Sequence, residues 1–564
     1  MNWGLGGAMR FFYSLWAKTY LLSRRNNLLE LEVSGDLVER KPGTSLIQKY
    51  MGRPPTAFAD LIFSLKEAES DPRIKACLAR IGDNALGWGR AGELREALHR
   101  FRAAGKKAFA FLEQAGNLEY FVATACDEII LPPSSTLDLI GLLSEVLYFK
   151  GILDKLDIKP EFLAAGKYKS AAEPYTRESM SDEHREALDA ILDVIFSELV
   201  SAISAGRNLP SDQIKLLINQ APLLPEDALE QKLVDRLMYS DQLDEHIESV
   251  IGEPVARINA EHFYRLRVNA RSGLDIFRRI PQLALVYATG VIESGDREDY
   301  QDLEENVNAE QMLKVLASIR ENPKIKAAVL RIDSPGGSAV SSDLIWREVR
   351  LLGQSKPLIV SMADTAASGG YYLAMAGERI LADPCTITGS IGVLAGKINL
   401  RGLYHKFGLK KEQVKRGENA DLYSDYSDLS GTRRDQMTRE IEHFYSRFVE
   451  KAAEARKMSK DEMNQKAQGR IWTGKQALEL GLVDSLGGLR KAIDLAKQAI
   501  GLGPEERALV EIYPKPRRKL LPPFRFPIPH LPFSSDQEAR WLADFSRLAR
   551  DKILLLMPFL LRIR

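Results

Sequence analysis

Residues 358–393 read LIVSMADTAASGGYYLAMAGERILADPCTITGSIGV. The apolar run Leu358 to Val360 predicts a buried strand. A turn of small residues follows, Ala366-Ala367-Ser368-Gly369-Gly370, and then an alanine-rich, helix-like segment from Tyr371 to Gly377. A serine between a buried strand and a helix start is well placed for a nucleophile. Small neighbours admit a substrate backbone, and the unpaired N–H groups of the first helical turn face any oxyanion formed there. The same pattern also describes an ordinary tight turn with a capping serine, so the stretch alone leaves both readings open.

Working outward, the chain proves to repeat itself. Asp71-Pro-Arg-Ile-Lys75 matches Asn322-Pro-Lys-Ile-Lys326, an offset of 251 (322 − 71). At that offset Arg80-Ile81 falls on Arg331-Ile332, Tyr120 on Tyr371, Pro133 on Pro384, Ile140-Gly141 on Ile391-Gly392 and Gly166 on Gly417. Further on, Ala228-Leu-Glu and Leu233-Val-Asp235 match Ala477-Leu-Glu and Leu482-Val-Asp484, now at 249 (477 − 228). Two copies of one α/β domain are expected, at 28–255 and 281–503, joined by a linker at 256–280. Short apolar strands (327–332, 358–360, 379–382) alternate with helical stretches such as 341–352, which predicts parallel strands with crossover helices. A long amphipathic pattern from Thr432 to Lys457 predicts one or two helices near the end of the second copy.

Copies share what folding needs, so their differences point to function. Ser368 has Asn117 as its counterpart, and the Ser-Gly-Gly turn becomes Asn117-Leu118-Glu119. Ser390 has Leu139. The loop Asp333-Ser334-Pro335-Gly336-Gly337-Ser338, whose paired glycines would bare backbone N–H groups, has a counterpart at 82–87 without Pro-Gly-Gly. In the other direction, Gly166-Lys167-Tyr168-Lys169-Ser170 of the first copy corresponds to Gly417-Glu418-Asn419-Ala420-Asp421, so Lys169 faces Ala420. Each copy lacks something that the other supplies.

Composition narrows the classes. At 564 residues, with 45% hydrophobic and 27% charged residues, the chain is globular and too long for one core. A net charge of +1 argues against nucleic acid as a partner. Cys77, Cys126 and Cys385 are far apart, and the seven histidines form no HExxH or paired cluster, so neither a metal nor another cofactor is expected. Segment 1–27 is apolar but interrupted by Arg10 and Lys18. Phe11, Phe12, Leu15, Trp16, Tyr20 and Leu21 share a helical face there, with Arg24 and Arg25 behind. That suits a helix lying on a membrane surface or packed on protein, and does not suit a span. Segment 504–564 opens with prolines at 514, 516, 522, 523, 527, 529 and 532, an extended connector. It ends in an expected amphipathic helix around Trp541, Leu542, Phe545 and Leu548, and its uncharged run 553–561 is too short to span.

Taken together, Ala367-Ser368-Gly369-Gly370-Tyr371, Asp333-Ser-Pro-Gly-Gly-Ser338, Thr388-Gly-Ser-Ile-Gly392 and Gly166-Lys-Tyr-Lys-Ser170 resemble the signal peptide peptidase A family in its long, duplicated bacterial form. The resemblance covers both copies. It implies a Clp-protease/crotonase-like α/β fold and a serine endopeptidase with a Ser–Lys dyad. Ser368 would be the nucleophile, Lys169 the general base and Ser390 the hydroxyl that orients the lysine. Gly337 (or Gly336) and Gly369 would hold the oxyanion. It further implies a homotetrameric bowl at the bacterial inner membrane, acting on peptides such as signal-peptide remnants. The N-terminus departs from the pattern, because the usual form opens with a clear anchor; attachment is therefore expected to be peripheral or monotopic. Lys167 stays open as an alternative base, since in an extended segment it would share a face with Lys169. A Clp-type Ser–His–Asp protease would have to recruit His405 or His443. A crotonase-type acyl-CoA enzyme would use the loop without a nucleophile, and an inactive membrane scaffold would use neither.

Overall fold

The computed structural model describes residues 14–21, 23–41, 55–272, 280–295, 306–515, 553–557 and 563. The duplication in sequence is a duplication in topology. The first repeat builds a parallel sheet in the order Arg236–Leu237, Glu128–Leu131, Lys107–Leu112, Ala76–Asn84, Leu28–Gly35, Arg257–Asn259. The second repeats that order with Ser485–Leu486, Arg379–Ala382, Leu358–Ala367, Ile325–Ser334, Gln282–Thr289 and Leu509–Tyr513. Central strands such as Ile325–Ser334 are buried almost throughout, as parallel strands covered on both faces must be. The covering helices also correspond: Phe58–Glu69 with Ala309–Glu321, Trp88–Ala103 with Ala339–Ser355, Asn117–Ala123 with Gly369–Ala374, and Asp182–Arg207 with Thr432–Arg456.

Three expectations are corrected. Residues 256–280 do not form a simple linker: Arg257–Asn259 pairs with Leu28–Gly35, and the helix Ala260–Ser272 packs on Phe58–Glu69. Nor does the second repeat stop at 503, since Leu509–Tyr513 adds an edge strand to its sheet. Within 504–564, Ile553–Leu556 is a β-strand rather than helix, because its backbone is paired on both sides. Trp541, Leu542, Phe545 and Leu548 lie outside the described residues. At the N-terminus, Ser14 Oγ donates to the carbonyl of Ala270 at 2.9 Å, Ala17 and Leu21 are buried, and Tyr20 meets the ring of His262 edge-on. Leu15 and Trp16 remain about half exposed on the outer side; Phe11 and Phe12 lie outside the described residues.

A third sheet ties the repeats together. Lys159–Ala165 leaves the first repeat and pairs antiparallel with Val393–Asn399 of the second, from Ala165 opposite Val393 to Lys159 opposite Asn399. A buried charge cluster adds a second tie. The Arg331 guanidinium, fully buried in the second repeat, donates to Glu39 (3.1 Å) and Glu93 (2.6 Å) of the first and to Ser361 Oγ (2.8 Å). Removing one partner of such a group strands the others without compensation. Arg331→Met is therefore expected to destabilise the chain by about 3–5 kcal/mol, read as a lower urea midpoint; an unchanged midpoint would refute the tie.

Candidate active site

The strand that opens the argument runs longer than expected, Leu358–Ala367, taking in the first two small residues. Ser368 alone makes the turn, at φ 53°, ψ −110°, and the helix Gly369–Ala374 begins at once. A non-glycine residue in this region costs about 1–3 kcal/mol and persists only where its surroundings hold it. Here Ser368 N donates to Gly389 O (2.8 Å), and Ser368 O accepts from Tyr372 N (2.8 Å). The strain lifts Oγ off the strand end, and small neighbours let the Pro-Gly-Gly loop pass close by. A Cβ on Gly369 would lie 3.0 Å from Gly336 Cα and 3.2 Å from Gly337 N.

Lys169 arrives from the other repeat, just after the strand Lys159–Ala165. Its Nζ lies 2.7 Å from Ser368 Oγ, 3.0 Å from Ser390 Oγ and 3.1 Å from Ser390 O. All three residues are buried. Among the described residues no carboxylate bonds the amine, and burial alone pushes the Lys169 ammonium well below its ordinary range. The structure thus brings Ser368, Lys169 and Ser390 together. Lys167 is elsewhere: residues 166–170 form a turn (Lys169 N to Gly166 O, 3.1 Å) rather than an extended segment, and Lys167 points to solvent beside Glu183. His405 is exposed and bonded to Tyr426, and His443 is exposed as well, so the Ser–His alternative finds no geometry.

The glycine loop sorts its own donors. Gly336 N–H donates to Ser334 Oγ at 3.2 Å, whereas Gly337 stands opposite Leu555 of the strand Ile553–Leu556. Ser338 then caps the following helix, accepting from Ser341 N. In the first repeat the matching site is filled in: Asn117 Nδ2 donates to Gly141 O, and Leu139 is buried where Ser390 stands in the second.

One element was not singled out from sequence. Residues Gln468–Arg470 wedge between the lysine loop and Ser390: Gln468 O accepts from Tyr168 N (2.7 Å), Gly469 N donates to Ile391 O (2.8 Å), and Arg470 O accepts from Ser390 N (2.7 Å). A Cβ on Gly469 would come within 2.7 Å of Lys169 N and Cβ. The signal was the same asymmetry used above, since its counterpart (469 − 249) is Gln220. Among the described residues no group of side chains is arranged to hold a metal ion, and no helix is long and apolar enough to cross a membrane.

This serine turn on a duplicated α/β core, together with the relatives it matches, defines a serine-type peptidase. The chain belongs to peptidase family S49, whose model matches residues 100–250 and 350–503, once in each repeat. It is 36% identical over 434 residues to the chloroplastic serine protease SPPA of Arabidopsis thaliana, covering 77% of this chain and 64% of that one, just under two thirds of its length. Protease 4 of Haemophilus influenzae is 31% identical over 504 residues, 85% of this chain and 78% of the relative. Protease 4 of Salmonella typhi is 31% identical over 498 residues, 83% and 78%. Among solved structures, ClpP1 of Listeria monocytogenes aligns with 37% of this chain and 92% of its own at 17% identity and a TM-score of 0.23.

Proposed function

We propose that the chain is an endopeptidase that cuts short apolar peptides, such as signal-peptide remnants, with Ser368 as nucleophile and Lys169 as general base. The observation that carries this reading is the 2.7 Å contact between Lys169 Nζ and Ser368 Oγ in a buried site where, among the described residues, no carboxylate bonds the amine. A neutral amine has two N–H groups and one lone pair. Ser390 O and Oγ take the two N–H groups, which leaves the lone pair for the hydroxyl proton of Ser368. As Oγ attacks a peptide carbonyl, that proton passes to Nζ; the resulting ammonium then protonates the departing amine. Gly337 and Gly369 N–H stabilise the oxyanion, on the order of 3 kcal/mol per donor. Labelling by a serine-reactive fluorophosphonate tests the reading. A crotonase-type enzyme or an inactive scaffold would not label, and loss of labelling in Ser368→Ala assigns the site.

Assembly follows from the pseudo-symmetry. Within the chain, Lys159–Ala165 covers Val393–Asn399. The counterparts at 251 are 410–416 and 142–148. Residues 410–416 are exposed throughout, with Val414 at 92%, and Leu143 and Leu147 are also exposed. A second copy laying 410–416 along 142–148 would repeat the internal contact head to tail and close a ring, with four copies expected from the family resemblance. Val414→Pro, which removes a strand N–H, is expected to yield monomers by light scattering; an intact oligomer would rule out this interface. The half-exposed Leu15 and Trp16 leave room for peripheral contact with a membrane surface.

A further inference from the structure

The loop that carries Lys169 is held on two sides. Toward the second repeat, Tyr168 N donates to Gln468 O at 2.7 Å. Toward the first, the chain turns tightly: Ser170 N donates to Tyr168 O and Glu173 N donates to Ser170 O, each at 2.9 Å. The place of Glu173 therefore sets the backbone beside Lys169. Glu173 is in turn anchored at the start of the helix Asp182–Arg207. Its Oε1 accepts from Ser181 Oγ at 2.5 Å, and its Oε2 accepts from Ser181 N at 3.1 Å and from His184 Nδ1 at 3.2 Å. Ser181 Oγ also caps the helix, accepting from His184 N at 3.1 Å.

Charge agrees with this geometry. Burial works against the Glu173 carboxylate, but the bonds from His184 and Ser181 outweigh it and hold the carboxyl below its ordinary range. An ionised carboxylate only accepts, so the fully buried His184 carries a proton on Nδ1. Tyr148 OH lies 3.4 Å from the same nitrogen, and Phe149 N donates to Pro174 O at 2.6 Å, so a third segment closes on the latch. Glu173 is also the one carboxylate in the sequence between Gly166 and Thr176. A carboxylate beside the amine would favour the ammonium; here its oxygens are taken up by Ser181 and His184.

The latch belongs to the copy that supplies the lysine. The corresponding helix, Thr432–Arg456, starts from Gly431 without a side-chain cap. Its third residue is Arg434 where the first repeat has His184, and the counterpart of Glu173 (424 − 251) is Ser424. The same asymmetry singled out Lys169 itself.

We propose that Glu173, locked by Ser181 and His184, is a positioning residue that keeps Lys169 against Ser368 and away from water. It acts through the backbone of the loop, not on the reacting atoms. This inference rests on the assignment of Ser368 and Lys169 above.

The test follows kcat and KM for a fluorogenic apolar peptide across pH in wild type, Glu173→Ala, Ser181→Ala and Ser181→Thr, with melting temperatures to verify folding. A loosened loop admits water, and solvation returns the amine toward the ordinary lysine value near 10.4. In Glu173→Ala and Ser181→Ala the midpoint of the kcat profile is expected to rise by about one pH unit or more. That lowers kcat at neutral pH about tenfold, while kcat at the alkaline end approaches wild type. Ser181→Thr keeps the hydroxyl and should restore the wild-type midpoint. A fall in kcat or in melting temperature with an unmoved midpoint would overturn the proposal and leave these residues a purely structural role. Failure of the dyad reads differently, since wild type itself would then neither label with fluorophosphonate nor gain kcat with pH.

Discussion

Ser368→Ala is expected to lower kcat by about 10⁴–10⁶-fold, to the level left by binding and oxyanion donors alone. The size of the loss follows from the site's construction. Among the described residues no second hydroxyl has the same setting: Ser390 Oγ also touches Lys169 Nζ, but its backbone N–H is bonded to Arg470 O. The fold should survive, because Ser368 holds its strained φ through backbone bonds to Gly389 and Tyr372 that alanine also makes. The check is cleavage of a fluorogenic apolar peptide alongside the melting temperature. Activity within about tenfold of wild type would remove Ser368 from the nucleophile role.

The second large effect belongs to Lys169. Lys169→Ala and Lys169→Arg should each lose about 10²–10⁴-fold in kcat. Arginine fails because a guanidinium does not surrender its proton. Lys169→Met, which keeps the stem and drops the amine, should be equally inactive, and its stability carries an independent signature. Burial depresses the folded-state pKa of Lys169, so between that lowered value and the ordinary lysine value near 10.4 the unfolded chain binds more protons. Wild-type stability therefore rises with pH across this window, and the lysine's cost is greatest below it. The stability difference between Lys169→Met and wild type should shift in favour of wild type as pH rises from neutrality towards 10. In the wild type, kcat should climb with pH as the amine of Lys169 loses its proton. A flat kcat profile together with a flat stability difference would mean that the amine is not the base.

Much of this was legible because the chain carries its own comparison. The offset of 251 predicted two like sheets, and positions where the copies disagree singled out Ser368, Lys169 and Ser390, which the structure brings within one hydrogen-bonded group. What stayed hidden was contact between the repeats. Nothing in the periodicity of 553–557 distinguishes a strand paired on both edges from an apolar helical turn, since the pairing partners lie more than 150 residues earlier. For the same reason residues 256–280 read as a connector: Arg257–Asn259 is too short for alternation to declare it a strand. The family motif favoured Lys169 over Lys167, but side-chain direction did not separate them until the turn at Gly166 aimed one outward and the other inward.

The wedge at Gln468–Arg470 bears on how the protein is made. During synthesis the first repeat emerges with Lys169 in water, charged and harmless. Ser368 follows some two hundred residues later, and the backbone that seats both Lys169 and Ser390 comes later still. On the proposed dyad, a ribosome-bound chain therefore carries both groups without the backbone that seats them until most of the second repeat has left the exit tunnel. On that proposal, splitting the chemistry between the repeats works as a delay: a chain that stops before Gln468 lacks the backbone that seats Lys169 and Ser390.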